Sequence, residues 1–230
     1  MLTLILVAAG DSRRMGFDKL FAPIGGTPVI AHTMRAFERA GCVTNIIVVA
    51  REDRIAEIKI MVRHEDLKKV RSIIPGGKRR QDSVRAGLAQ VDAATKYVAV
   101  HDAARPLITP KQIESVFDQC RIHAAATLAE PISDTLKYAD NEFFVSGSVD
   151  RHQLYAMQTP QIFERQLLED AYRALYAENA SVTDEVSAVE RFGHKIVLVP
   201  NENLNFKITY PRDLAVAEFV LMQQSRSVAG

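Results

Sequence analysis

Five short aliphatic runs recur along the chain: Leu2–Val7, Ile46–Val49, the weaker Ile73–Ile74, Tyr97–Val100 and Ala125–Leu128. None alternates with polar residues. Uninterrupted β-branched and aliphatic runs suit strands covered on both faces, as in a parallel sheet. Between them lie helix starts. Thr27-Pro28 offers a hydroxyl at the N-cap and proline at the first helical position. Thr109-Pro110-Lys111-Gln112 repeats this and adds a capping-box glutamine. The alternation predicts an α/β fold, a Rossmann-like, mostly parallel sheet with helices on both faces.

The pattern changes near Pro131. Ser133–Val149 is polar and strand-like, with turn residues at Asp140-Asn141 and Gly147, and predicts a protruding β-hairpin arm over about 132–152. Helical patterning resumes over Glu164–Glu178 and Asp184–Phe192. A strand at Lys195–Val199 follows, then a closing helix from Pro211 to about Met222. The tail Ser225–Gly230 has nothing to pack with and is expected to fray. A length of 230 residues fits one domain over 1–230.

The balance of 29 basic against 28 acidic residues argues against a dedicated nucleic-acid binder, but leaves room for a local basic pocket for a small anion. Cys42 and Cys120 are too few for a disulfide scaffold and fit a reducing compartment. The apolar start is interrupted at Gly10-Asp11-Ser12-Arg13-Arg14, well short of the ~20 residues a membrane span needs. It also lacks the basic leader of a signal peptide, so a cytoplasmic protein is expected.

Three strand-to-helix junctions carry the chemistry. The first is Ala8-Ala9-Gly10-Asp11-Ser12-Arg13-Arg14-Met15, followed by Asp18-Lys19. Small residues let backbone N–H groups approach phosphate oxygens, while Arg and Lys supply mobile positive charge. Neither the dinucleotide fingerprint nor the P-loop fits, because Asp11-Ser12 follows Gly10 and five residues separate Gly10 from Gly16. A solvated surface loop is the alternative reading. The second junction, Pro75-Gly76-Gly77-Lys78-Arg79-Arg80-Gln81-Asp82-Ser83, joins two glycines to three cations and places Ser83 at a helix start, where anions are favoured. It reads equally as a phosphate site or a solvated turn. The third is His101-Asp102-Ala103-Ala104-Arg105-Pro106, where an Asp directly after a strand can meet a metal–phosphate complex, a sugar hydroxyl, or simply cap a helix. No second His or Cys stands near His101, so zinc is not expected. Asp184-Glu185 reads as a pair of dipole-favoured first-turn acids.

Taken in order, these segments resemble the 2-C-methyl-D-erythritol 4-phosphate cytidylyltransferase family over roughly Leu2 to Gln223. The family's A-A-G-x-G-x-R-M falls at Ala8–Met15, with Ser12 in place of its second glycine, and its H-D-A-A-R-P at His101–Pro106. D-T-x-K falls at Asp134–Lys137, V-D-R at Val149–Arg151, T-P-Q at Thr159–Gln161 and T-D-E at Thr183–Glu185. N-x-K-[IV]-T and P-x-D-L fall at Asn205–Thr209 and Pro211–Leu214. The family's P-K-Q is Asp18-Lys19-Leu20, which is expected to set a negative charge beside the phosphates. A D-x-D triplet, usual in metal-dependent glycosyltransferases, does not occur.

The resemblance implies transfer of CMP from CTP to methylerythritol phosphate with Mg²⁺. Arg14 and Lys19 would stabilise the transition state. The nucleotide would be held by Ala8, Ala9, Gly10, Asp11, Ser12, Gly76, Gly77, Lys78, Ser83, Asp102 and Ala103. Asp102 would also stand near the Mg²⁺, itself held mainly by CTP phosphates. The acceptor would meet Arg105, Thr135, Arg151, Thr159, Thr183 and Lys207, with the arm reaching a second subunit of a homodimer. A ribitol 5-phosphate cytidylyltransferase is the nearest rival; this chain keeps the methylerythritol form of H-D-A-A-R-P and V-D-R.

Overall fold

The computed structural model describes residues 1–11 and 15–229. In chain order it runs β1 (Leu2–Ala8), the two-residue strands β2 (Pro23–Ile24) and β3 (Thr27–Pro28), α1 (Val29–Arg39), β4 (Val43–Ala50), α2 (Ile55–His64), β5 (Val70–Pro75), α3 (Arg80–Leu88), β6 (Tyr97–Asp102), α4 (Pro110–His123) and β7 (Ala125–Pro131). Then come β8 (Leu136–Ala139), β9 (Val145–Val149), β10 (Tyr155–Glu164), α5 (Arg165–Ala177), α6 (Glu185–Arg191), β11 (Val197–Pro200) and α7 (Arg212–Ala229). Among the described residues no helix is long and apolar enough to cross a membrane.

Seven strands form the main sheet in the order β11-β7-β10-β6-β1-β4-β5. β1 pairs parallel with both β4 and β6, β4 with β5, and β11 with β7; β10 runs antiparallel to β6 and β7. The aliphatic runs are continuous because both faces of these strands are covered. Leu2, Leu4, Leu6, Ile46 and Val48 pack with Met34, Phe37, Ile113 and Val116, whereas Ile5, Ile47 and Val49 pack with Val84, Leu88, Leu168 and Tyr172. Each fully buried side chain of this size contributes about 1.5–3 kcal/mol. From β1 the order passes to β4 on one side and β6 on the other, so a crevice opens beyond their carboxyl ends, where open α/β sheets hold ligands.

Several local expectations are corrected. Thr27-Pro28 does not cap α1: Pro28 is the N-cap residue and lacks a side-chain cap bond. Both residues pair instead with Pro23–Ile24 across Gly25 (φ 57°) and Gly26 (φ 77°), left-handed positions that a tight hairpin turn requires. Thr109-Pro110 does form the expected capping box with Gln112. The arm is present as the antiparallel pair β8–β9, but Gly147 sits inside β9 opposite Tyr138 and not in a turn. α7 continues to Ala229, so 225–229 are helical where fraying was expected; no helix breaker precedes Gly230.

β10 has no counterpart in the expected elements. Its buried centre is polar, with Gln158, Thr159 and Gln161 all at most 4% exposed. These side chains survive burial because they are bonded. Gln158 accepts from Asn201 and Asn205, and Gln161 accepts the N–H groups of Glu185 and Val186.

Candidate functional site

A cleft of ≈ 440 Å³ opens beyond β1 and β6, and the first two junctions form its walls. Ala8, Ala9, Gly10 and Asp11 face Gly77, Lys78, Arg79, Arg80 and Ser83 across it, with Lys19, Asp102, Lys207 and Thr209 also in the lining. Gly76 sets how closely the two loops approach. A Cβ there would lie 2.5 Å from the Ala9 Cβ and 2.8 Å from Ser83 Oγ, distances that real side chains do not tolerate. Ser83 Oγ in turn accepts the Gly77 N–H at 3.1 Å, folding the glycine turn back onto the first turn of α3.

Charge in the cleft is strongly one-sided. Among the described residues, Lys19, Lys78, Arg79, Arg80 and Lys207 line it against Asp11 and Asp102. Asp102 is the last residue of β6, not the first of a loop, and its carboxylate is 10% exposed. One oxygen accepts from Arg80 Nε at 3.2 Å and the other from Lys207 Nζ at 2.8 Å, with Arg105 Nε 3.8 Å away. Burial pushes this carboxyl upward, but Arg80, Lys207 and Arg105 outweigh it and hold it well below the usual carboxylate range. Lys19 Nζ donates to the Ile208 carbonyl at 2.7 Å, on the same wall as Lys207.

Behind Asp102 lies a closed relay. His101 is fully buried, and burial lowers its pKa to about 3. The Arg105 carbonyl can only accept, so Nε2 carries the proton and donates to it at 3.4 Å. Nδ1 is therefore the acceptor of the Thr159 hydroxyl at 3.0 Å, and the Thr159 oxygen accepts the Asp102 N–H at 3.1 Å. A neutral, enclosed imidazole cannot serve as a general base in the cleft; it fixes the end of β6.

On the other side, Arg80 Nη1 donates at 2.7 Å to Glu185, which also accepts from the Tyr172 hydroxyl at 2.9 Å. Glu185 is fully buried, and burial raises its pKa despite the Arg80 charge. Glu185 is thus a first-turn acid of α6 as expected, but a fully buried one, while Asp184 caps the helix by accepting the Ser187 N–H.

The sequence-derived residues divide by position. Ala8, Ala9, Gly10, Asp11, Lys19, Gly77, Lys78, Ser83, Asp102 and Lys207 meet in the lining. Gly76 lies against it, and Ala103 is buried, its N–H donating to Val7. Arg105 and Thr159 stand behind Asp102 and do not line the cleft; Arg105 donates to the Asn205 carbonyl at 2.8 Å. Thr135 and Arg151 are exposed on or beside the arm, Arg151 donating to the Ser133 carbonyl, and Thr183 is exposed before α6. Ser12 and Arg14 lie outside the described residues. Asp18 does not stand beside the cleft as expected, because its carboxylate is turned to Arg51 and Arg54. Arg79, Arg80, Thr209 and Glu185 lie in segments the sequence marked but carry no individual site role there. The Lys78-Arg79-Arg80 run signalled the first two; nothing marked Glu185 as buried.

Residues 2–223 match the family model for 2-C-methyl-D-erythritol 4-phosphate cytidylyltransferase. Proteins of that name from Halalkalibacterium halodurans and Bacillus cytotoxicus are 36% and 39% identical. The first alignment covers 97% of this chain and 98% of the relative, the second 98% and 100%. Among solved structures, the 4-diphosphocytidyl-2C-methyl-D-erythritol synthase of Anaerococcus prevotii superposes with a TM-score of 0.85 at 28% identity, over 96% of this chain and 98% of that one. The Francisella tularensis 2-C-methyl-D-erythritol 4-phosphate cytidylyltransferase gives 0.79 at 28%, over 95% and 99%.

Proposed function

Because the chain belongs to the 2-C-methyl-D-erythritol 4-phosphate cytidylyltransferase family and is a nucleotidyltransferase, we propose that it transfers CMP from CTP to 2-C-methyl-D-erythritol 4-phosphate. The products are 4-diphosphocytidyl-2-C-methyl-D-erythritol and pyrophosphate. The observation that carries this reading is the cleft itself, where the described residues set five cations against two carboxylates at the switch point of the sheet. The acceptor phosphate is already anionic at neutral pH, so attack on the α-phosphorus needs no general base. What it needs is alignment of two polyanions and neutralisation of the charge that develops between them.

In this reading Ala8–Ser12 and Gly76–Ser83, with Asp102 and Ala103, hold the nucleotide. Arg14 and Lys19 meet the phosphates, and Lys207 clamps the acceptor phosphate with Arg151, while Arg105 holds the Asn205 carbonyl behind Asp102. Thr159 positions Asp102 through its hydroxyl. Among the described residues no three His, Cys, Asp or Glu side chains gather as a metal cage. A lone Asp102 fits Mg²⁺ bound mostly through phosphates, since that ion keeps its waters and takes one or two carboxylates. Bound there, Mg²⁺ would supply charge neutralisation on the CTP phosphates.

Thr135, Arg151 and Thr183 fit a site completed between two copies of the chain. The arm presents Tyr138, Phe143, Phe144 and Val145, 62–91% exposed, to such a partner. Two cysteines in 230 residues, too few for a disulfide scaffold, support a cytoplasmic setting.

Pyrophosphate release with CTP and Mg²⁺ tests the reaction, comparing methylerythritol 4-phosphate with ribitol 5-phosphate. Turnover confined to the first is expected. Preference for ribitol 5-phosphate would overturn the acceptor, and failure with both in protein that binds CTP would overturn the reaction.

A further inference from the structure

Asp18 stands where the family's P-K-Q has proline, immediately before Lys19. Its carboxylate is only 12% exposed. Oδ1 accepts the Leu20 N–H at 3.3 Å, while Oδ2 accepts from Arg51 Nη2 at 2.6 Å and Arg54 Nε at 2.9 Å. Arg51 directly follows β4, and Arg54 closes the short turn before α2, so both guanidinium groups are rooted beside the sheet. Arg54 also lies over the Phe21 ring, 4.8 Å from its centroid. On the far side of Lys19, Leu20 is buried and its carbonyl accepts the Ile30 N–H at 3.0 Å.

Lys19 is therefore held between two anchored neighbours while its own ammonium reaches the cleft wall. Partly exposed ion pairs add little stability, typically about 0–1 kcal/mol. Three donors converging on one carboxylate do, however, fix a direction, and bonds from guanidinium to carboxylate are the most directional of the charged kind. Proline fixes a direction by another route, locking its own φ near about −65°.

We propose that Asp18, Arg51 and Arg54 form a positioning clamp for Lys19, ion pairing here replacing the backbone restriction that proline supplies elsewhere. The inference rests on the reading that Lys19 meets the CTP phosphates. The pairing also neutralises Asp18, which lets an acidic residue precede a phosphate-facing lysine.

A double-mutant cycle tests it, with kcat for nucleotidyl transfer, the acceptor KM and the melting temperature measured on each protein. Asp18→Ala is expected to lower kcat by roughly 10–100-fold, since a displacement of about 1 Å can cost ~10². The acceptor KM should stay within about twofold. Asp18→Pro should recover most of the rate. In a Lys19→Ala background, Asp18→Ala should produce no further loss, because its effect passes through Lys19. Full kcat in Asp18→Ala while Lys19→Ala is slow would overturn the clamp alone. So would the same fold-loss in both backgrounds, which marks a general structural role. Full kcat in Lys19→Ala would overturn the reading beneath it as well. Should Asp18→Ala not fold, Asp18→Asn removes the charge, keeps the acceptor for Leu20, and enters the same cycle with the same criteria.

Discussion

Replacing His101 by Asn and measuring urea unfolding at about pH 7.5 and about pH 5.0 isolates the proton linkage of one buried ring. In the fold, burial holds the His101 pKa at about 3, against 6.5 when the chain is unfolded. The folded value is the lower one, so between them the unfolded state binds more protons. The resulting stability is fully present above pH 6.5 and is lost as pH falls toward 3, by up to about 1.4 kcal/mol per unit. At pH 5.0 the unfolded imidazole is almost fully charged and the loss amounts to about 2 kcal/mol. Asn can accept from Thr159 and donate toward the Arg105 carbonyl, and whatever it costs is the same at both pH values. The other five histidines are common to both proteins and cancel in the comparison. The wild type should therefore lose about 2 kcal/mol more than His101→Asn on acidification. Equal losses in both would refute the buried neutral imidazole and, with it, the tautomer assigned to the Thr159–Asp102 relay.

Gly76→Ala should lower kcat/KM for CTP by roughly 10–100-fold, because the loop must lift off Ala9 and Ser83; unchanged CTP kinetics would show that the loops do not hold the nucleotide together. Lys207→Ala should raise the acceptor KM by about tenfold or more while CTP binding, read by calorimetry, changes little; an unaltered acceptor KM would reject the clamp. Phe143→Ser with Phe144→Ser should convert the proposed arm-mediated dimer to a monomer in sedimentation, since the two rings are 91% and 67% exposed. A dimer that survives this change would place the interface elsewhere.

The parallel core was legible because its strands are sealed on both faces, which writes a continuous aliphatic run into the sequence. β10 was not, since its middle is Gln158-Thr159-Pro160-Gln161 and its burial is made tolerable by long-range bonds to Asn201, Asn205 and the α6 N-terminus. Such partners lie up to 47 positions away and leave no local period. The same holds at the site. Glycine loops and cations announce themselves by residue type, so most of the lining was named from sequence. That Glu185 turns inward to Arg80, or Asp18 outward to Arg51 and Arg54, depends on where the fold brings those arginines. An acidic letter beside a cleft-lining lysine looks like interference until its counter-ions are seen.

The arm leaves the sheet at Pro131 and returns at Tyr155, and these two residues are paired partners in the β7–β10 ladder. A two-residue turn could therefore bridge the gap, as in any tight hairpin. In engineering terms the arm is a cassette: it can be shortened, exchanged or given a new tip without asking the sheet beneath to change register. Selection on the arm's tip, beyond Thr135 and Arg151, is thereby uncoupled from selection on the cleft, and the two can diverge at different rates within one chain.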